Sequence, residues 1–173
     1  MTAIEALVAK QEIHEALLRY LRGVDRCDAE LICSAFHPDA VDEHAEAVWT
    51  GTNVGENIVA RVRQSFTSTF HVIGNQLIEI DGDTAHSETY VVCYLGGDDN
   101  RGEFMLTRAL RYIDQFELRD RTWKIGYRKV IREWDRIDRV TEKPENRPYF
   151  DPERSHDDLS YRRPLRRTRG LPD

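Results

Sequence analysis

Residues 69–95 read TFHVIGNQLIEIDGDTAHSETYVVCYL, and this stretch decides the fold. Two runs with strand-like alternation, 69–80 and 84–95, flank Asp81-Gly82-Asp83, whose composition is that of a tight hairpin turn. The pattern continues downstream. Residues 103–118 and 122–134 form two further extended runs, joined by Arg119-Asp120-Arg121, and residues 96–102 (GGDDNRG) read as a longer loop before them. Four strands in immediate succession predict an antiparallel meander. Upstream the period changes to helical: Ile13, Leu17, Tyr20, Leu21 and Val24 form one stripe of a long amphipathic helix over residues 3–24, which Gly23 weakens at its end. Asp28-Ala29-Glu30 caps a second short helix carrying Leu31, Ile32 and Phe36, and His37-Pro38-Asp39 stops it. Residues 40–52 read as an irregular strand or loop. Gly55-Glu56-Asn57 opens a third helix with Ile58, Val62 and Phe66 on one side. Helices followed by such a meander predict an α+β fold, in which the helices cover one face of a curved sheet and leave room for a pocket between.

The chain has 173 residues and a formal net charge of −6, which argues against nucleic acid as the main partner, since phosphate binding needs a basic face. No apolar run is long enough to span a bilayer, and Met1-Thr2-Ala3-Ile4-Glu5 lacks the start of a secretory signal, so a cytoplasmic protein without membrane contact is expected. Cys27, Cys33 and Cys93 are widely spaced and read as buried thiols. Residues 1–140 are expected to form the domain. Residues 141–173 hold five of the six prolines and few core-forming residues, and read as a tail that stays solvated or contacts another subunit unless it docks. Its arginines Arg162, Arg163, Arg166, Arg167 and Arg169 read as part of that arm.

Asp25 lies four residues after Leu21, so a continuing helix turns its carboxylate toward the core, where a charge needs a partner. His71 is the best candidate. Alternation puts it on one face of the first long strand with Ile73, Asn75 and Leu77. An imidazole oriented by a carboxylate suits proton transfer. Spacing alone favours the plainer reading, with Asp25 capping a helix end and His71 a core histidine satisfied by backbone. Arg132 shares a face with Val130 and Trp134, an odd setting for a cation unless it meets an anion or a neighbouring acid. His86, Glu88, Tyr90, Val92 and Tyr94 alternate along one face of the second strand, so Glu88 and Tyr90 are candidate cavity residues. Trp49, Phe66, Met105 and Phe116 are candidate walls, or ordinary core. His44 beside Glu43 and Glu46 lacks convincing metal-ligand spacing, so no metal is expected. Nucleotide-binding glycine motifs and a serine nucleophile elbow are absent.

The segments Tyr20-Leu21-Arg22-Gly23-Val24-Asp25-Arg26-Cys27-Asp28 and Phe70-His71-Val72-Ile73-Gly74-Asn75, the hairpin Asp81-Gly82-Asp83-Thr84-Ala85 with Tyr90 beyond it, and Trp123-Lys124-Ile125 resemble the SnoaL-like branch of the nuclear transport factor 2-like superfamily. Within it the pattern is closest to scytalone dehydratase, lindane dehydrochlorinase and bile-acid 7α-dehydratase. The resemblance spans roughly residues 3–138. It implies a cone-shaped, cystatin-like α+β barrel and an Asp–His dyad on Asp25 and His71. It also implies Tyr20 and Arg132 as further catalytic groups. The activity implied is a dehydratase-type lyase or isomerase, free of cofactors, acting on a small hydrophobic substrate such as a steroid, terpenoid, polyketide or aromatic compound. A homodimer or homotrimer formed through the outer sheet face is implied as well. A non-catalytic ligand-binding or scaffold protein, or a polyketide cyclase using Asp25, remains open at this point.

Overall fold

The computed structural model describes residues 1–143 and 149–165. Helix α1, Ala3–Arg26, starts on a capping box. The Thr2 hydroxyl accepts from the Glu5 amide at 3.2 Å, and the Glu5 carboxylate accepts from the Thr2 amide at 2.6 Å. Its stripe of Ala9, Ile13, Ala16, Leu17, Tyr20, Leu21 and Val24 is buried. Gly23 does not weaken the helix. A Cβ there would lie 2.8 Å from the amide nitrogen of Ile32, so glycine is what lets α2, Ala29–Cys33, pack against the last turn of α1. Gly55 plays the same part for α3, Val54–Ser65, because a Cβ at that position would lie 2.1 Å from the Ala29 carbonyl oxygen.

Six strands form one sheet in the order β2-β1-β6-β5-β4-β3. They are β1 Phe36–His44, β2 Ala47–Thr50, β3 Ser68–Asp81, β4 Thr84–Asp99, β5 Gly102–Arg119 and β6 Thr122–Arg139. The meander from β3 to β6 is antiparallel as expected, but β1 runs parallel to β6 and makes the sheet mixed. His37-Pro38-Asp39 therefore belongs to β1 instead of ending a helix. Pro38, which has no amide to donate, falls where the β1–β6 register shifts between Phe36 and Val41. The expected loop at 96–102 shrinks to Asn100-Arg101, because β4 and β5 stay paired out to Asp99 and Gly102. Gly96 and Gly97 serve close packing there, against Ser68 and Phe104.

Two irregularities change which side chains face inward. The β3–β4 register shifts between Ile73 and Gln76, and the β5–β6 register shifts opposite Ala109 and Leu110. A shift of one residue exchanges the faces of everything beyond it. His71 and Ile73 thus share the helix-facing side, whereas Leu77 stands on the outer face, 60% exposed. Gln76 takes the inner side and its side-chain oxygen Oε1 lies 2.7 Å from His14 Nδ1 on α1. Arg132 and Val130 face inward by the same logic, while Trp134 pairs with Ala109 and is exposed on the outer side.

In the core, Phe36, Ile125 and Phe116 sit side by side across three strands and are fully or almost fully buried. The Arg128 guanidinium is wholly buried, bidentate to Asp114 at 2.7 and 2.8 Å, and lies 4.4 and 4.3 Å from the ring centres of Tyr20 and Tyr112. Burial is affordable for this cation because a carboxylate and two aromatic faces surround it.

Residues 153–161 dock on the helices of their own chain. Arg26 on α1 bonds Asp158 at 2.9 Å, and the N-cap carboxylate of α2, Asp28, accepts from Tyr161 at 2.7 Å and lies 2.9 Å from His156. Arg154 donates to the terminal carbonyls of α3, at Phe66 (2.6 Å) and Val62 (3.3 Å). These contacts are hydrogen bonds and ion pairs, joined by the Arg22 guanidinium over the Tyr161 ring at 4.3 Å, which explains why hydrophobic patterning gives no sign of them. Arg166, Arg167 and Arg169 lie outside the described residues. Among the described residues no helix is long and apolar enough to cross a membrane.

Candidate active site

The helices do not cover the sheet completely, and a small cavity remains between them, about 550 Å³ of space only when the open solvent at its mouth is counted. Its walls come from α1 (Tyr20, Val24), α3 (Ile58, Arg61, Val62), the following Phe66, the β1–β2 hairpin (His44, Trp49) and the inner faces of β3, β4 and β5 (His71; Cys93, Leu95; Arg108, Leu110, Tyr112). It is mostly apolar, with a small number of polar groups converging, which is the usual make-up of a small-molecule site.

The last turn of α1 brings Asp25 against β3. His71 Nδ1 lies 2.6 Å from Asp25 Oδ1, and the His71 backbone amide donates to Oδ2 at 3.0 Å. Both side chains are nearly buried. Burial works against a charged imidazole, but the hydrogen bond to the Asp25 carboxylate, the nearby Cys93 sulfur and the negative charge of Asp25 outweigh it and hold His71 up to about 10. Cys93 is the direct cross-strand partner of His71. Tyr20, wedged between Phe36 and Tyr112 at ring-centre distances of 5.8 Å, has its phenol pushed well above the ordinary value by burial, with Arg128 opposing. It therefore stays protonated and able to donate.

Of the residues singled out from the sequence, Tyr20, Trp49, Phe66 and His71 line this one cavity, with Asp25 directly behind His71. Five others, Arg132, Glu88, Tyr90, Met105 and Phe116, lie elsewhere, Phe116 in the fully buried core. Arg132 stands outside the chamber at its outer mouth, with a 68% exposed side chain 3.6 Å from Asp135. Glu88 and Tyr90 point away from the helices; Glu88 pairs with Arg111 at 2.6 Å and Tyr90 is 45% exposed. Met105 alternates with buried Leu106 and takes the same outer side. The inner residues of β4 are the odd-numbered ones, Ser87, Thr89, Val91, Cys93 and Leu95.

Sequence reading misses Arg61, Arg108 and Tyr112 altogether and places neither His44 nor Cys93 in the cavity. Arg108 carried a signal, since it interrupts the otherwise apolar alternation of Leu106, Leu110 and Tyr112. His44 is tilted against Trp49, ring centres 5.8 Å apart, and is pushed down to about 3, first by burial and then by the charges of Arg61, Arg128 and Arg108. Among the described residues no three His, Cys, Asp or Glu side chains cluster in a way that could hold a metal ion.

The profile of the SnoaL-like domain family matches residues 5–129. Among solved structures, the chain is similar to a hexachlorocyclohexane dehydrochlorinase of Novosphingobium barchaimii (19% identity, TM-score 0.72, covering 85% of this chain and 100% of that one). It is also similar to a candidate scytalone dehydratase of Novosphingobium aromaticivorans (18%, 0.68, 86% and 100%) and to a Mycobacterium tuberculosis protein of unknown function (24%, 0.64, 82% and 79%). At these identities the likeness shows the shared cone-shaped fold. No curated protein sequence matches the chain. The chain belongs to the SnoaL-like domain family, and its fold is the cystatin-like α+β cone.

Proposed function

We propose that this SnoaL-like chain is a lyase of the dehydratase type, or a related isomerase, acting on a small apolar cyclic substrate with its own side chains as the only catalytic groups. The observation that carries the reading is the 2.6 Å contact between Asp25 and His71 on the wall of an apolar cavity. Asp25 occupies Nδ1, so proton exchange with a bound molecule runs through Nε2. In an elimination, Nε2 removes a hydrogen from carbon as H⁺. The electron pair of that C–H bond becomes the new double bond, and the leaving group departs with its own pair. The imidazolium then returns the proton, so a hydroxide leaves as water; in an isomerisation the proton returns to a different carbon. Asp25 keeps its negative charge throughout and stabilises the imidazolium.

Protonated Tyr20 donates to the oxygen that gains charge. Trp49, Phe66, Ile58 and Leu110 supply an apolar wall against which a steroid, terpenoid, polyketide or aromatic-like ring can lie. A raised His71 pKa makes the neutral imidazole a stronger base while leaving it a minority form near neutrality, so turnover climbs with pH. The same reading has copies of the chain associate as a dimer or trimer, because Phe70, Tyr90, Tyr94 and Trp134 stand exposed on the outer sheet face.

The experiment is a panel of cyclic alcohols, β-hydroxyketones and halides incubated with the protein without added cofactor and read by mass for loss of water or hydrogen halide, with double-bond shifts followed by NMR. Turnover of at least one compound that disappears when a bulky residue fills the cavity, as in Val62→Trp, is the expected outcome. A cavity that binds panel members while none reacts would move the chain to the ligand-binding reading.

A further inference from the structure

The neck between the apolar chamber and the open mouth is built from arginine. Arg61 and Arg108 line both the chamber and the outer cleft, and Arg132 joins them in the cleft. In a chain of net charge −6 this is a local inversion of sign. Two carboxylates face these three cations. Asp135 takes Arg108 bidentately, Nε at 2.9 Å and Nη2 at 2.8 Å, and also lies 3.6 Å from Arg132. Glu46 lines the cleft but is exposed and forms no ion pair among the described residues. Arg61 has no hydrogen bond or ion pair among the described residues. The field of these groups is felt at the neck itself: Arg61 and Arg108 are both among the charges that keep the adjacent His44 imidazole neutral.

We propose that the substrate is a cyclic carboxylic acid, its ring in the chamber against His71 and its carboxylate held at the neck by Arg61 and the free Nη1 edge of Arg108. This deepens the lyase reading and rests on it for the role of the ring. The planar fork of a guanidinium matches the two-oxygen edge of a carboxylate. Among the described residues Arg61 is the group there with uncommitted donors; it is itself exposed, and apolar walls flank it on the chamber side. An anion anchored at the mouth also fixes how deep the ring sits, and hence which C–H faces Nε2.

The test is calorimetric titration of the full chain with 1-naphthoate and its neutral isostere 1-naphthamide. The wild type is expected to prefer the carboxylate by about tenfold or more, and the preference should shrink as salt rises. Arg61→Gln should abolish the preference by weakening carboxylate binding more than amide binding, and Arg61→Lys should restore part of it. Equal binding of the two probes, a preference that survives in both Arg61→Gln and Arg108→Gln, or no binding of either probe to the wild type overturns the proposal. Failure of the lyase reading is separable: turnover that ignores His71→Gln alongside an intact carboxylate preference removes the chemistry and keeps the anion site. The reverse pattern keeps the chemistry and removes the site.

Discussion

Asp25 holds His71 at two points, accepting from the ring nitrogen side at 2.6 Å and from the backbone amide at 3.0 Å. One carboxylate thus fixes the orientation of the imidazole and pins the last turn of α1 to β3.

This double contact ties stability to pH. His71 is raised from 6.5 to about 10 in the fold, so its stabilising contribution is complete below pH 6.5 and is lost as pH rises through about 10. Asp25→Asn keeps the shape but removes the charge. Urea melts from pH 6 to pH 10 should show declining stability for the wild type and a flatter profile for the variant, and NMR titration should find the His71 pKa lower in the variant. Identical slopes would contradict the pairing.

Asp42 behaves in the same sense for a different reason. It is wholly buried with neither oxygen hydrogen-bonded to a described residue, and burial pushes it up to about 6, with Arg128 opposing and Asp114 adding to the rise. Raised from 3.8, it stabilises fully below pH 3.8 and ceases to as pH rises through about 6. Asp42→Asn should therefore remove the slope between pH 4 and 6 and stabilise the protein at pH 8 by about 1–2 kcal/mol, the size expected for relieving a buried, under-bonded charge. Destabilisation at pH 8 in equilibrium unfolding would show that the charge is held by Arg128 more strongly than its burial costs.

Arg154 ties the C-terminal segment to α3 through the carbonyls of Phe66 and Val62. Its replacement by alanine should cost about 1–2 kcal/mol in urea unfolding, since charged donors to helix-terminal carbonyls are lost. Because Phe66 lines the cavity, ligand binding should weaken along with it. An unchanged midpoint would show that the Arg154 contacts add nothing to the stability of the cone.

The exposed outer face predicts self-association. Tyr94 and Trp134 are 42% and 53% exposed, and light scattering should find a dimer or trimer that Tyr94→Glu with Trp134→Glu converts to the 20.2 kDa monomer. A wild type that is monomeric at high concentration would refute this.

Much of the architecture was legible because it is written in period: the α1 stripe, the Asp28 cap and the hairpin chemistry lead to the observed elements. The pairing of Asp25 with His71 was legible only through the family resemblance, since spacing alone admits a helix cap and a core histidine. Alternation reveals that a strand has two faces without saying which is inside. On β4 the inner face holds Ser87 and Thr89, fully buried, while Tyr90 and Tyr94 face out, so the pattern points the wrong way for Glu88 and Tyr90; on β5 Met105 likewise takes the outer side. The register shifts near Gly74 and Glu133 did the same to Asn75, Leu77 and Trp134. Such shifts arise from pairing with a neighbour and leave little trace in one strand read alone. The docking of residues 153–161 is held by charge and hydrogen bonds, which have no period to read.

The most direct measurement is the turnover of a panel substrate by His71→Gln against wild type, with circular dichroism and unfolding midpoints confirming that both are folded. A positioned base of this kind contributes roughly 10²–10⁴-fold, and a loss of that size with substrate binding retained is the result expected. Wild-type turnover in a folded His71→Gln protein would mean that the pair on the cavity wall holds α1 to β3 and moves no substrate proton.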